Sequence, residues 1–217
     1  MFDMEYKSEI APGVLLGDEQ KILEFELLNR AAIQQIQLKT EILNDEFKTR
    51  YARNPIHHVE SRLKSRKSVA NKLIKKGMDP TVENAMQYIN DTAGLRVVCC
   101  YIDDVYNVAD MLTAQRDLEL VKRKDYIKEP NCNGYRSLHL DFRMPIYLSD
   151  KRMYAMAEVQ LRTVAMDFWA SLEHDLRYKS NKDIPLNLAK EMLRCADDIA
   201  LIDGKMQAIY KAIRELK

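Results

Sequence analysis

The sequence predicts an α+β protein in which helices at both ends flank a small mixed or antiparallel β-sheet. Apolar residues recur at mostly helical spacing from Asp18 to about Tyr51 and again near the C-terminus. Between these segments, short β-branched or alternating apolar runs are typical of strands. With 217 residues, of which 47% are hydrophobic and 31% charged, the chain is long enough for one sizeable core.

The first part of the chain is predicted to be helical. The segment from Asp18 to about Tyr51 forms one amphipathic helix or a pair of them. After Asn54-Pro55, which should break the helix, residues 57–76 favour a second helical segment that ends at Gly77. Asp79-Pro80 is typical of the cap and first turn of a short third helix.

The rest of the chain alternates strands with helices. Four strands are predicted, at residues 94–102, 118–121, 137–146 and 153–162. Apolar and polar residues alternate in the last two, so each should have one polar face. Asp103 or Asp104 would cap one helix, and another would run from Thr163 to about Tyr178. The C-terminal helix carries an apolar seam that suits packing against another helix, in the same chain or in a partner.

Composition and charge restrict the class of protein. Residues 61–78 carry seven Lys and Arg and no Asp or Glu, so a polyanion is the expected partner of this segment. No stretch approaches the roughly 18 apolar residues of a membrane span, and the N-terminus lacks the layout of a secretion signal. We therefore expect a soluble, cytoplasmic protein with no membrane partner. The four cysteines lack metal or disulfide spacing and are interpreted as reduced thiols, mostly in the core.

A basic motif in the predicted second helix is the first candidate site. The spacing of Lys64, Ser68 and Lys72 would stack two ammonium groups and a hydroxyl on one helical face, with Arg62 just before them. Such a face suits a string of phosphates. A solvated basic face without a ligand would show the same pattern.

Carboxylates beside two predicted strands are the second candidate. Asp91 stands at the mouth of a buried strand, where it could hold Mg²⁺ together with substrate phosphates or simply cap a turn. Glu158 and Gln160 lie on the polar face of an otherwise apolar strand and need partners. A metal, a substrate hydroxyl or a structural salt bridge near Arg162 would each provide them.

A turn-rich loop that leads into the third predicted strand is the third candidate. It runs from Lys124 to His139 and includes the sequence NGYRSLH. Such a loop can present Tyr135 for stacking on a base, with basic groups nearby. An exposed loop tyrosine without a ligand is the alternative. The histidines at 57, 58 and 174 are assigned no function, since none has a second histidine at metal-binding spacing.

Together these stretches resemble the RelA/SpoT synthetase family, and within it the small alarmone synthetases, which lack hydrolase and regulatory domains. The similarity runs from about Pro55 to Tyr178, and several motifs in one order are more specific than any one of them. It implies the nucleotidyltransferase-like synthetase fold. It also implies a pyrophosphate transfer from ATP to the 3′-hydroxyl of GDP or GTP, or of GMP, that releases AMP and makes pppGpp, ppGpp or pGpp.

The resemblance divides the chain into three parts. Residues 1–54 would be an N-terminal helical extension, residues 55–180 the synthetase domain, and residues 181–217 a C-terminal helix for packing or oligomerisation. A homo-oligomer, most plausibly a tetramer, is expected from similar small synthetases. Single-stranded RNA and the alarmone product are candidate regulators.

The resemblance also assigns roles on the ATP side. Arg62 and Arg96 correspond to the pair that sandwiches adenine between guanidinium planes. The residues that correspond to the ATP phosphate contacts are Lys64, Ser68 and Lys72. Asp91 and Glu158 correspond to the carboxylates that hold Mg²⁺, and Glu158 would also activate the acceptor hydroxyl with support from Gln160.

On the acceptor side, Tyr135 corresponds to the ring that stacks on guanine, and His139 to an imidazole near the acceptor phosphates, with Lys124 in the same basic loop. Two positions depart from the family pattern. Asn131 replaces a lysine that commonly touches the 5′-phosphates, which puts the preferred acceptor in question. Asp167 replaces a common asparagine, but its carboxylate can still accept from guanine N1–H and N2–H₂.

Two alternatives use the same residues differently. Toxin relatives of small synthetases modify the tRNA 3′ end, and the basic runs at 75–76 and 122–124 could serve an RNA acceptor. In a different class, the chain could be a non-catalytic RNA- or nucleotide-binding regulator. The expected mark of such a regulator is the loss of Asp91 or Glu158, and both are present.

Overall fold

The computed structural model describes residues 14–179 and 184–216. Within those ranges the helices are α1 (Glu19–Tyr51), α2 (Arg66–Lys75), α3 (Val82–Tyr88), α4 (Ile102–Thr113), α5 (Val164–Lys179) and α6 (Leu186–Glu215). The strands are β1 (Ile56–Leu63), β2 (Ala93–Cys99), β3 (Glu119–Asp125), β4 (Leu138–Tyr147) and β5 (Arg152–Thr163). The predicted α+β class, with helices around one small sheet, is confirmed.

The five strands form one mixed sheet in the order β1-β2-β5-β4-β3. Strands β2 and β5 run parallel, and the other neighbours are antiparallel. The predicted alternation in β4 and β5 is confirmed, because Leu140, Phe142 and Val159 are buried while Glu158 and Gln160 belong to the opposite, polar face.

Helix α1 is a single helix that covers the apolar face of the sheet. Its N-cap Asp18 accepts a hydrogen bond from the backbone N–H of Gln20, which satisfies one of the free amides of the first turn. Leu28, Ala32 and Ile36 are buried in the same core as the sheet and α4. The division into 1–54, 55–180 and 181–217 stays a prediction.

The predicted helix over residues 57–76 is wrong in its first half, since residues 56–63 form the edge strand β1. The sequence of β1 lacks the alternation of apolar and polar residues that is typical of a strand, because most of its side chains are polar and at least partly exposed. Its strand conformation depends on pairing with β2. Helix α2 begins after Ser65, whose hydroxyl accepts from the backbone N–H of Ser68. Lys64 therefore precedes the helix and does not share a helical face with Ser68 and Lys72.

Smaller corrections concern the ends of elements. Thr81 caps α3 with its side chain, in place of the predicted Asp79. Strand β2 ends at Cys99, and Tyr101, not Asp103 or Asp104, occupies the N-cap position of α4. The sequence does not locate these boundaries to the residue, because several neighbouring polar residues are equally suited to cap each helix.

The prediction that the cysteines lie mostly in the core is wrong. Only Cys99 is buried, and burial raises the pKa of its thiol. Cys132 and Cys195 are exposed, and all four are free thiols. In the part of the chain that the structure describes, no helix combines the length and apolar character needed to cross a membrane.

Gly134 holds the loop before β4 against α6. Its φ of 87° lies in the left-handed region that favours glycine, and a Cβ there would come within 2.5 Å of the Ala196 Cβ. Arg136 strengthens the contact by donating to the Ala196 carbonyl and to Asp197. Helix α6 therefore determines where this loop places Tyr135.

Candidate active site

Cross-strand pairing brings two rows of side chains together on the polar face of the sheet. One row contains Arg62, Gly94, Glu158, Asp141 and Lys122. The adjacent row contains Glu60, Arg96, Gln160, His139 and Lys124. Because residues two apart on a strand share a face, both rows lie on one surface. Five strands that are distant in sequence thus contribute to a single site.

A first cavity lies over β1, β2 and β5. Its lining residues include Arg62, Lys64, Gly94, Arg96, Asp91, Glu158 and Gln160. Arg62 pairs with Gly94, so Arg62 and Arg96 are diagonal neighbours on the same face. Diagonal neighbours lie about 7 to 8 Å apart, which leaves room for one planar ring between them. Gly94 adds no side chain to the floor between the two guanidinium groups.

A second cavity lies between α2 and the β3–β4 side of the sheet. Its cations are four lysines, Lys72, Lys76, Lys122 and Lys124, and its aromatic lining residues are Tyr88, Tyr126 and His139. Such a lining suits an anionic ligand that carries a ring. Asp91 and Glu158 line both cavities, so the two cavities meet at a pair of carboxylates.

Asp91 is held by the two lysines of the basic motif. Its Oδ2 accepts from Lys64 at 2.5 Å and from Lys72 at 2.6 Å. Burial alone would raise the pKa of Asp91, but these two ammonium groups hold it below its usual value. Burial also lowers the pKa of Lys64, and Asp91 opposes that shift. The structure therefore joins Asp91 to the basic motif by two ion pairs, a contact that the sequence did not predict.

The carboxylates fit a magnesium ion. Asp91 Oδ1 is buried and has no hydrogen-bond partner, so it has a free acceptor for a cation in a polar environment. Within the described ranges no cluster of three or more His, Cys, Asp or Glu residues could hold a metal ion. Two carboxylates without further protein ligands match the way Mg²⁺ binds, with substrate phosphates and water completing its shell.

Glu158 accepts hydrogen bonds on both carboxylate oxygens. His139 Nδ1 lies 2.9 Å from Oε1, and Gln160 Nε2 donates to Oε2 at 3.0 Å. Burial alone would raise the pKa of Glu158, but the bonds from His139 and Gln160 lower it overall. Glu158 is therefore an ionised carboxylate at neutral pH, able to bind a cation or accept a proton.

Tyr135 lies behind the second cavity and contacts two of its rings. It packs edge-on against His139, with ring centroids 5.9 Å apart, and against Tyr126, at 6.0 Å. Its hydroxyl lies 2.9 Å from His139 Nε2 and accepts from Arg162 at 2.6 Å. The tyrosine chosen from sequence is thus tied to the residues around Glu158.

Asp167 lies between Arg162 and Arg96. In the first turn of α5, its Oδ1 accepts from Arg162 at 3.1 Å and lies 3.4 Å from an Arg96 guanidinium nitrogen. Arg96 also donates to Glu60 at 3.0 Å. The predicted guanine contact at Asp167 and the predicted adenine contact at Arg96 are therefore neighbours.

Four predicted residues are not among those that line either cavity: Tyr135 and Asp167, whose side chains contact lining residues, and Ser68 and Asn131. The Ser68 hydroxyl lies 2.9 Å from that of Ser65 in the first turn of α2. Asn131 is exposed in a turn that its backbone closes with Tyr135 and Gly134. Neither side chain is among the residues that line a cavity.

Sequence reasoning did not assign several lining residues of the second cavity to a nucleotide site, notably Tyr126 and Asp141. It named Lys76 and Lys122 only within runs of basic residues, including those considered for an RNA acceptor. The alternation of β4 already assigned Asp141 to the polar face, which was a usable signal. Lys122 is two residues from Lys124 and so shares its face. Lys76, the C-cap of α2, donates to the Tyr88 carbonyl beside the cavity, and Tyr126 directly follows β3.

Comparison with known proteins gives the same family from sequence and from structure. A family model described as a region found in RelA/SpoT proteins matches residues 61–183. GTP pyrophosphokinase YwaC of Bacillus subtilis is 43% identical over 187 residues, which cover 86% of this chain and 89% of that protein.

Two crystal structures from the same organism have similar folds. Small alarmone synthetase 2 of B. subtilis superposes with a TM-score of 0.78 at 43% identity, covering 86% of this chain and 97% of that one. Small alarmone synthetase 1, bound to its product pppGpp, superposes with a TM-score of 0.82 at 30% identity, covering 90% and 99%. With a family model over more than half of its length, the chain belongs to the RelA/SpoT family.

Proposed function

We propose that the protein is a GTP pyrophosphokinase that moves pyrophosphate from ATP to the 3′-hydroxyl of a guanine nucleotide and releases AMP. The observation that carries this proposal is that two cavities, each lined with lysine or arginine side chains, meet at Asp91 and Glu158, which line both. A transfer between two polyphosphates needs such a meeting point, where charge is neutralised and the reacting groups are held in line. The relative YwaC bears the name of this activity.

The first cavity is the proposed ATP site. Adenine would lie between Arg62 and Arg96 over Gly94, and the phosphates would extend toward Lys64 and Lys72. Both lysines also pair with Asp91, which balances part of their charge beside the proposed path of the phosphates. Ser68, in the first turn of α2, is proposed to donate to a phosphate oxygen.

The second cavity is the proposed site of the acceptor phosphates. The guanine would lie beside it, near two side chains that accept hydrogen bonds from Arg162. Tyr135 would stack on the base, and Asp167 would accept from guanine N1–H and N2–H₂, whereas the N1 acceptor of adenine would be repelled. His139 and Lys124 would lie near the acceptor phosphates. Both substrates are cytoplasmic metabolites, which supports a cytoplasmic location.

The proposed reaction is an in-line displacement at the β-phosphorus of ATP. The 3′-oxygen of the acceptor forms the new bond to phosphorus as the bond to the α,β-bridging oxygen breaks, and AMP leaves. Glu158 accepts the hydroxyl proton, and Gln160 orients that carboxylate. Asp91 and Glu158 would hold Mg²⁺, which when bound supplies Lewis-acid stabilisation of charge on the phosphates.

The function is tested by supplying the purified protein with ATP, Mg²⁺ and one acceptor at a time: GMP, GDP, GTP or tRNA. We expect AMP and a guanosine 3′-pyrophosphate in equal amounts. ATP with a methylene group between its α- and β-phosphorus should give no transfer, because the bond that must break is absent. Labelling of tRNA in preference to free nucleotides would support the RNA alternative. No transfer to any acceptor would support a binding protein without catalysis.

Replacing Tyr135 by alanine is expected to impair use of the acceptor. Stacking on a base contributes about 1 to 3 kcal/mol, so kcat/KM for the guanine nucleotide should fall roughly 5- to 150-fold. Binding of ATP should change little, since Tyr135 is not among the residues that line the first cavity. Phenylalanine at this position keeps the stacking ring, so KM for the acceptor should stay near that of the parent. Steady-state kinetics with each substrate varied will distinguish this from a structural tyrosine, whose loss would damage both substrates equally.

The acceptor's phosphorylation state is proposed to depend on Asn131. An amide donates a hydrogen bond but cannot offset the charge of each added 5′-phosphate, so GDP, and also GMP, should be used at least as well as GTP. A charged contact is worth about 1.5 to 3 kcal/mol when well formed and only a few tenths in an open loop. Asn131→Lys should therefore raise kcat/KM for GTP relative to GDP.

The control for this prediction is Asn107→Lys, which adds the same charge on an exposed face of α4. Both variants are compared with the parent at matched ionic strength, because exposed charges are screened by salt. A strong preference of the parent for GTP, or an unchanged ranking in Asn131→Lys, would show that position 131 does not set the acceptor's phosphorylation state.

A homo-oligomer, most plausibly a tetramer, is proposed from the exposed apolar side chains of the helices. On α6, Ile202, Met206, Ile209 and Ile213 are each at least half exposed. An apolar groove between α5 and α6 adds Phe168 and Leu172. Symmetric association with further copies would bury such surfaces.

Light scattering at micromolar concentration should show an oligomer. The double variant Met206→Lys with Ile209→Lys should weaken this association. A monomeric parent would refute the proposal.

A further inference from the structure

Arg162, near the end of β5, is a buried arginine to which the proposed reaction assigns no role. Its side chain is only 6% exposed, although it belongs to the polar face of the sheet. Its guanidinium group donates to Tyr135, Gln160 and Asp167. A buried cation is costly unless its partners are well placed, so these three acceptors define its position closely.

The contacts of Arg162 close a ring of hydrogen bonds that passes through Glu158. The distances along one arm are 2.6 Å from Arg162 to the Tyr135 hydroxyl, 2.9 Å from there to His139 and 2.9 Å from His139 to Glu158. Along the other arm, Arg162 lies 3.2 Å from Gln160 Oε1, and Gln160 Nε2 lies 3.0 Å from Glu158. The proposed catalytic carboxylate is thus connected to Arg162 from both sides.

Because a guanidinium group can only donate, Arg162 sets the direction of both arms. The Tyr135 oxygen accepts from Arg162, and its phenol proton can donate to His139 Nε2. In the tautomer that carries its proton on Nδ1, His139 then donates to Glu158. In the same way, the carbonyl oxygen of Gln160 faces Arg162, so its amide group faces Glu158.

Arg162 also restricts the ring of Tyr135. The guanidinium carbon lies 5.0 Å from the ring centroid, over one face, while Asp167 holds the other end of the guanidinium group at 3.1 Å. A cation over one face of an aromatic ring stabilises that arrangement. A base that stacks on Tyr135 must therefore use the opposite face of the ring.

We propose that Arg162 is a positioning residue that couples the base-stacking tyrosine to the carboxylate that receives the acceptor proton. It orients Glu158 through His139 and Gln160, and it holds Tyr135 for the acceptor base. This inference rests on the proposed pyrophosphate transfer for its kinetic consequence. The ring of hydrogen bonds and its direction do not depend on that function.

The kinetic test is Arg162→Lys, which retains a positive charge for Asp167 but loses the planar fork that serves three acceptors. We expect kcat to fall about 10- to 100-fold, the usual effect of removing a group that orients an active-site ligand, while KM for ATP changes little. The matched control is Arg53→Lys, since Arg53 also pairs with a buried carboxylate, Asp104, remote from both cavities. Near-normal kcat in Arg162→Lys, or equal loss in Arg53→Lys, would overturn the proposal.

A spectroscopic test needs no turnover and therefore separates this inference from the proposed function. In nucleotide-free protein labelled with ¹⁵N-histidine, the Nδ1–H of His139 should give a downfield resonance that exchanges slowly with water. Arg162→Lys and Tyr135→Phe should both lose that resonance, and Arg53→Lys should keep it. Tyr135→Phe retains Arg162, so the test still applies if Arg162→Lys fails to fold. A resonance that persists in Tyr135→Phe, or that is absent from the parent, would refute the ring.

Discussion

Replacement of Glu158 by glutamine is expected to lower kcat about 10²- to 10³-fold or more, the scale of losing one preorganised electrostatic group at a reaction centre. Glutamine has nearly the same shape but cannot take the acceptor proton. It also has one acceptor oxygen for two donors, His139 and Gln160. Rates of AMP release under saturating substrates measure the loss.

The control for this prediction is Glu119→Gln, the same substitution on an exposed residue of β3 that pairs with Arg143. It should leave turnover unchanged. Circular dichroism and urea unfolding will show that Glu158→Gln is folded, with a stability loss of about 1 to 3 kcal/mol for a mispaired buried donor. Near-normal turnover in Glu158→Gln would remove Glu158 from the mechanism.

Asp91→Asn is expected to lower kcat by a similar factor, about 10²- to 10³-fold. The electrostatic reason is different. Asparagine has a single acceptor oxygen, which Lys64 and Lys72 would occupy, so an NH₂ donor would replace the buried free oxygen Oδ1. The substitution also leaves the two lysines without a counter-charge. The parent also gains stability from ionised Asp91, because its folded pKa is lowered. That contribution is present above the unfolded-state pKa and is lost as pH falls through the folded pKa. Urea unfolding across the acidic range should show this loss in the parent and not in the variant.

A double variant separates the structural from the catalytic contribution of Asp91. Asp91→Asn with Lys64→Met removes the half-buried unpaired ammonium group, so stability should recover relative to Asp91→Asn alone. Activity should not recover, because the proposed metal carboxylate is still missing. Recovery of activity together with stability would mean that Asp91 serves only to neutralise Lys64.

Part of the site was predictable because strand geometry is local. The alternation in residues 137–146 and 153–162 assigned His139, Glu158 and Gln160 to polar faces, and the register confirms that they are neighbours. The loop before β4 was recognisable from its turn residues, although α6 determines its position through Gly134. The basic motif was recognisable as a cluster of charge but was assigned the wrong local structure.

The sequence by itself determined the α+β class, the apolar and polar faces of β4 and β5, and the identity of most candidate site residues. Periodicity and the order of motifs along the chain carry this information without any tertiary contact. The tertiary structure alone decided that residues 56–63 are an edge strand, that β2 lies parallel to β5, and that Lys64 and Lys72 both reach Asp91. It also decided that Arg162 closes a ring through Glu158. These features arise from pairing between segments distant along the chain, whose free energy depends on packing and on burial of charge that no local pattern records.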